Sequence, residues 1–152
     1  MTRPWALRAP NRKLESELQL HVVRQLRLYL PDEVWFTVSL SGLRLPPQIA
    51  VRAKAAGMEK GAPDLSFVFP GGVTHYIELK KPGGTLSPEQ KRLAEVLGWR
   101  FALCRSWAEV KAVLADWMAT HGLAFLDETA AVRRALKREG ERRDALLSGR
   151  TL

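Results

Sequence analysis

The sequence predicts an α/β fold: a central mixed β-sheet flanked by helices. Three observations predict it. Leu14, Leu18, Val22, Leu26 and Tyr29 recur at helical spacing near the start of the chain. Two apolar runs then surround a Pro70-Gly71-Gly72 turn, and a strand-like run, Trp99 to Cys104, lies between two further helical patterns. The length of 152 residues suits one domain with one core, and 46% hydrophobic content is ordinary for a soluble globular protein.

Taken in order, the pattern gives a helix at 13–30, a strand at 34–39 and an irregular-to-helical segment at 46–57. Paired strands follow at 64–69 and 74–80. A loop containing Pro82-Gly83-Gly84 leads to a helix at 87–97, started by Ser87 as cap, Pro88 in the first turn and Gln90 reaching back. A strand at 99–104 precedes a helix at 106–120, where Ser106 and Glu109 form a capping-box pattern and Val110, Val113, Leu114 and Trp117 give the apolar stripe. Residues 129–147 read as a weakly amphipathic helix interrupted by Gly140. The domain plan is a basic arm at 1–13, an α/β body at 14–120 and a basic, helical extension at 121–152. There is no internal repeat or low-complexity tract.

The net charge of +8 resides in the two ends, +4 within 1–13 and +4 within 129–152, and the body between them balances at zero. Basic arms on a neutral body suit a protein that grips phosphate, or are simply solvated tails. Arg44, Arg52, Lys54 and Lys60, on the approach to Asp64, are better placed as DNA-binding residues. Cys104 is the sole cysteine, so no intrachain disulfide is possible, and a reducing cytoplasm is the expected home. No apolar run is long enough to span a bilayer, and no signal peptide is expected. His21, His75 and His121 lie far apart in the sequence and, with one cysteine, do not suggest a structural zinc site. No Walker-type phosphate loop occurs. The five tryptophans read mostly as packing residues, with Trp99 and Trp107 as a minor option for base stacking.

The chemistry concentrates in Gly61-Ala62-Pro63-Asp64, thirteen intervening residues, and Glu78-Leu79-Lys80. Side chains alternate along a strand, so Glu78 and Lys80 share one face and Leu79 takes the other. If the turn sets Phe69 opposite Val73, Asp64 falls directly across from Glu78. Two carboxylates and an ammonium then converge as a divalent-metal site with a lysine beside it. Ser66 and Tyr76 should share that face, with Leu65, Phe67, Ile77 and Leu79 buried on the other. A slip of one residue would put Asp64 opposite Leu79 and destroy the arrangement. On the first helix, the phase places Glu15 within the apolar stripe and Glu17 at its edge or beyond. A core-facing carboxylate is costly unless a cation or hydrogen bonds meet it, so Glu15 is the candidate and Glu17 the reserve; the helix dipole alone could also favour a glutamate there.

These residues resemble the PD-(D/E)xK nuclease superfamily and, more closely, its VRR-NUC branch. The resemblance covers roughly residues 14–118: Glu15 through Gln19, Gly57-Met58 through Gly61-Ala62-Pro63-Asp64, Pro70-Gly71-Gly72, Ile77-Glu78-Leu79-Lys80, and Pro82 through Gln90. Ser39-Leu40-Ser41-Gly42 departs from it, standing where relatives often carry polar or aromatic DNA-facing residues. The resemblance implies a restriction-endonuclease-like core and metal-dependent DNA endonuclease activity, with Glu15, Asp64, Glu78, Lys80 and Gln90 as catalytic residues. Phosphodiester hydrolysis needs an activated water and neutralised phosphate charge, which Mg²⁺ or Mn²⁺ supplies through oxygen ligands. Asp64 and Glu78 are the expected ligands, the Leu79 carbonyl a third, and Glu15 direct or through water. Lys80 would orient or deprotonate the attacking water, or simply pair with a carboxylate. Gln90 is divided between capping its helix and reaching the site, two roles expected to conflict.

Stand-alone members of the branch imply a phage or bacterial enzyme acting on branched DNA such as four-way junctions, which a homodimer would nick in pairs. The alternatives are a less selective or flap-cutting DNase of replication, recombination or repair, and a DNA-binding or recruitment module with a vestigial centre.

Overall fold

The fold is taken from a computed structural model that describes residues 9–39, 46–58 and 61–149. It is α/β, with a four-stranded mixed sheet flanked by helices. Helix α1 (Ala9–Tyr29) leads to strand β1 (Trp35–Val38), helix α2 (Pro47–Ala55) and strands β2 (Leu65–Val68) and β3 (Thr74–Leu79). Helix α3 (Pro88–Leu97), a single 3₁₀ turn, strand β4 (Phe101–Cys104) and helices α4 (Trp107–Ala119) and α5 (Glu128–Leu147) complete the chain. The strands stand in the order β1-β2-β3-β4, antiparallel except for the parallel β3–β4 pair that the α3 crossover permits. Each element falls within a few residues of its expected span.

The β2–β3 turn sets the register. Gly72 N–H donates to the Phe69 carbonyl at 3.0 Å, and Phe69 N–H to the Val73 carbonyl at 2.9 Å. Pro70 takes the second turn position and Gly71, at φ +88°, the third, where only glycine turns without strain. Leu65 therefore pairs with Ile77 and Ser66 with Tyr76, and one step further Asp64 stands opposite Glu78.

Period-two alternation splits the sheet. Leu65, Phe67, Phe69, His75, Ile77, Leu79 and Cys104 are buried on one face, under Val22, Leu26 and Leu30 of α1 and Val110, Leu114, Trp117 and Met118 of α4. On the other face Ser66, Val68, Thr74, Tyr76 and Asp64 are only half-buried, and Trp35 and Thr37 are exposed. This is the expected division.

Helix α5 runs continuously through Gly140, which does not interrupt it. Helix hydrogen bonds span the glycine, and contact with α1 supplies stability beyond its propensity. Arg134 donates to the Leu28 and Leu30 carbonyls and pairs with Asp32, and Arg138 donates to the Arg27 carbonyl at 2.7 Å. These guanidinium groups satisfy carbonyls at and beyond the C-terminal end of α1.

Candidate metal centre

Four side chains from three elements meet at the end of the β2–β3 hairpin. Asp64 precedes β2, Glu78 and Lys80 belong to β3 and its exit, and Gln90 comes from the first turn of α3. The backbone fixes Asp64 from both sides: its carbonyl accepts from Ser39 N–H at 2.8 Å and its own N–H donates to Glu78 Oε2 at 3.3 Å. Its carboxylate reaches back across the hairpin, and Oδ2 accepts from Leu79 N–H at 2.8 Å. Glu78 Oε1 is shared, accepting from Gln90 Nε2 at 2.5 Å and pairing with Lys80 Nζ at 2.9 Å.

Gln90 performs both of the roles expected to conflict. Its Oε1 accepts from Ser87 N–H at 2.9 Å and closes the capping box, while its Nε2 holds Glu78. The two ends of the amide point to different partners, so neither role costs the other. Close packing brings α3 there: a Cβ on Gly61 would lie 2.9 Å from Glu89 Cβ, so the segment entering Asp64 rests directly against the start of the helix.

The electrostatics are those of crowded negative charge. Burial pushes the Asp64 carboxyl up to about 6; the charges of Glu78 and Glu15 add to the rise, and the Leu79 N–H and Lys80 oppose it. Burial likewise raises Glu78, against Lys80, Gln90 and the Asp64 amide. Burial alone would lower Lys80, but its hydrogen bond to Glu78 and the charges of Glu78, Glu15 and Asp64 outweigh this and raise it.

The other expected site residues are placed less closely. Glu15 is half-buried and felt by Asp64 and Lys80, whereas Glu17 is exposed, in keeping with the helical phase. Among the described residues no three His, Cys, Asp or Glu side chains gather into one cation-holding group, so Glu15 acts on the pair at a distance. Leu79 contributes its amide to Asp64 and buries its side chain. Arg52 and Lys54 are exposed on α2. Arg44 and Lys60, and Arg3, Arg8, Arg12, Lys13 and Leu14, lie outside the described side chains, as does the segment Leu40-Ser41-Gly42.

Three features were not anticipated. His75 and His121, distant in sequence, both meet Phe69 with ring centroids 5.0 Å away, His75 edge-on and His121 stacked. His75 is fully buried among Phe69, Trp99 and Trp117, and neither of its nitrogens has a hydrogen-bond partner. Its place between Val73 and Ile77 on the core-facing side of an alternating strand was the available signal. The Glu109 carboxylate, expected to complete a box with Ser106, accepts instead from Arg105 N–H at 2.6 Å, one residue earlier. Of the two tryptophans considered for stacking, Trp107 packs on Phe125, while Trp99 is exposed beside His75 and Arg100.

Burial pushes the Cys104 thiol up to about 12, which leaves it protonated and unreactive. Among the described residues, no helix is long and apolar enough to cross a membrane. No family model, curated protein or solved structure matches this chain.

Proposed function

We propose that this chain is a metal-dependent endodeoxyribonuclease of the VRR-NUC type with a restriction-endonuclease-like core, acting on branched DNA such as four-way junctions. One observation carries the reading. The hairpin register sets Asp64 opposite Glu78, and Lys80 and Gln90 converge on a single Glu78 oxygen. A chance Pro-Asp and Glu-x-Lys would have no reason to meet with a glutamine from a separate helix.

The donor set suits Mg²⁺ or Mn²⁺. Both ions take oxygen ligands, and Mg²⁺ commonly uses one or two carboxylates while keeping several waters. Two carboxyls raised by burial, that of Asp64 also by the Glu78 charge, gain most from a divalent cation. Asp64 and Glu78 would hold the ion, with the Leu79 carbonyl beside them and Glu15 supporting the site electrostatically. When bound, it supplies a more acidic water and neutralises charge on the phosphate.

The chain's own residues do the rest. Gln90, anchored at Ser87, fixes the Glu78 carboxylate. Lys80, held protonated by its carboxylate neighbours, donates to the attacking water or to a phosphate oxygen as negative charge develops there. Arg52 and Lys54, with Arg44 and Lys60, supply phosphate contacts, and a two-fold homodimer supplies the paired cuts a junction needs. Of the C-terminal basic residues, Arg134 and Arg138 already serve α1, so α5 is part of the folded body and not a free arm.

The test is cleavage of matched linear, flap and four-way DNAs with Mg²⁺, Mn²⁺ or EDTA. Metal-dependent, paired nicking that favours the four-way substrate is expected. Equal cutting of all three would point to an unselective DNase. Binding without cutting in either metal would make the chain a recruitment module and end the catalytic reading.

A further inference from the structure

We propose that Arg105 is a positioning residue for Lys80, acting through the backbone of the Lys81–Gly84 turn. The inference rests on the reading of Lys80 as the reactive cation of the site, and begins where β3 and β4 part. Their register ends with Leu79 beside Cys104, and Lys80 N–H donates to the Cys104 carbonyl at 3.0 Å. Arg105 therefore leaves the sheet alongside Lys80. The backbone of Arg105 is held by Glu109, whose carboxylate accepts its N–H at 2.6 Å. From that fixed base, Nη2 of the guanidinium donates to the Gly84 carbonyl at 3.0 Å.

Gly84 is the contact that transmits this constraint. Its N–H donates to the Lys81 carbonyl at 3.0 Å and closes the turn. A Cβ built on Gly84 would lie 3.2 Å from Lys80 Cβ and 3.1 Å from the Lys81 carbonyl oxygen, closer than ordinary packing. The turn's backbone thus lies alongside the root of the Lys80 side chain, with no room for even a methyl group between them. A lysine side chain has four rotatable carbons and on the order of 2 kcal/mol of rotamer entropy to lose when fixed. Lys80 is nonetheless held at 2.9 Å from Glu78 with its side chain only 16% exposed. Glu109 holding Arg105, Arg105 holding Gly84, and Gly84 flanking the Lys80 stem together supply a mechanical reason.

Full-length Arg105→Met, Arg105→Lys and Gly84→Ala proteins test this in two independent ways. Relaxation of the Lys80 side-chain ¹³Cε, measured without metal or DNA, reads order directly and does not depend on the chain being a nuclease. Single-turnover cleavage at saturating four-way DNA and Mn²⁺ reads the consequence. Arg105→Met is expected to make the Lys80 terminus markedly more mobile and to slow cleavage between about 10- and 100-fold, with DNA half-saturation unchanged. Arg105→Lys should restore part of both, since an ammonium can still reach a carbonyl. Gly84→Ala, which keeps Arg105 but sets a methyl 3.2 Å from Lys80 Cβ, should displace the stem, give the same signature and stand in if Arg105→Met fails to fold. Unchanged Lys80 relaxation in Arg105→Met, or in Gly84→Ala where that stands in, overturns the proposal. So does a defect confined to DNA half-saturation, which would make Arg105 a phosphate contact. If the wild type cuts no DNA, the relaxation arm still decides the positioning claim while the functional reading fails separately.

Discussion

Strand β3 buries two ionisable side chains three residues apart, on opposite faces of one sheet. Glu78, on the face that leads to solvent, is met by Lys80, Gln90 and the Asp64 amide. His75, on the core face, is met by three aromatic rings and no hydrogen-bond partner. A buried group must either be given partners that make its charge tolerable or surrender the charge. Glu78 takes the first course, in a cluster with more negative charge than its single ammonium offsets. His75 takes the second, its imidazole pushed down to about 4 by burial and then by Arg100 and His121. The first arrangement is the one that the proposed function assigns to a cation, and the second packs an imidazole among aromatic rings.

The largest expected effect breaks the comparison at its functional end. On the proposed function, Asp64→Asn, Glu78→Gln and Lys80→Ala should each lower metal-dependent cleavage by at least about 10²-fold, since each removes charge from the proposed reacting centre. Asp64→Asn should also unfold at higher denaturant than wild type at pH 7 without metal, because it relieves a buried, repelled carboxylate. A folded variant that still cuts at the wild-type rate removes its residue from the mechanism.

The two faces should also answer acid in opposite directions. Asp64 has its carboxyl raised from 3.8 to about 6, so the folded chain binds its proton more tightly than the unfolded one. That contribution is complete below about pH 3.8 and is lost as pH rises through 6. His75 is lowered from 6.5 to about 4, so its contribution is present above pH 6.5 and is lost as pH falls from there through 4. Each is worth on the order of 3 kcal/mol at most, and Asp64 less because it is partly exposed. Between pH 6.5 and 4 they offset, which predicts a shallow acid limb for the wild type. Urea midpoints across that range should steepen in Asp64→Asn and flatten or invert in His75→Phe. Parallel profiles for all three proteins would contradict both assignments.

How much of this was legible in the sequence depends on the range of the interactions involved. The Asp64–Glu78 register was readable because a Pro-Gly-Gly turn and period-two alternation are local and leave one pairing that buries Leu65, Phe67, Ile77 and Leu79 together. Glu15 over Glu17 followed from helical phase. Gln90 was visible as a cap, but its second partner depends on where α3 docks, which Gly61 decides from 29 residues away in the chain. Arg105 carried no local signal, because its partner lies across a strand crossover. Gly140 misled for the same reason: propensity marks a weak point, and contact between α5 and α1 overrides it. The histidines looked unrelated until the sheet and α4 brought two of them to one phenylalanine.

The smallest expected effect sharpens the contrast between faces within a single dipeptide. Trp35 and Phe36 are neighbours on β1, an edge strand, and alternation sends them to opposite sides. Trp35 lies on the carboxylate face and is 60% exposed. Phe36 packs on the core and stacks with Phe67 at 6.1 Å between centroids. By size alone tryptophan should matter more, but burial decides the hydrophobic contribution. Phe36→Ala should cost about 2 kcal/mol, below the range for a fully buried phenylalanine because this one is half-covered. Trp35→Ala should stay within about 0.5 kcal/mol of wild type, as surface changes do. Urea unfolding of both variants at several protein concentrations measures the difference. Equal losses at every concentration would mean the sheet is not divided as described. A Trp35→Ala loss that appears only at high concentration would show a second copy covering that face, and would place the homodimer contact on the side of the sheet that carries Asp64 and Glu78.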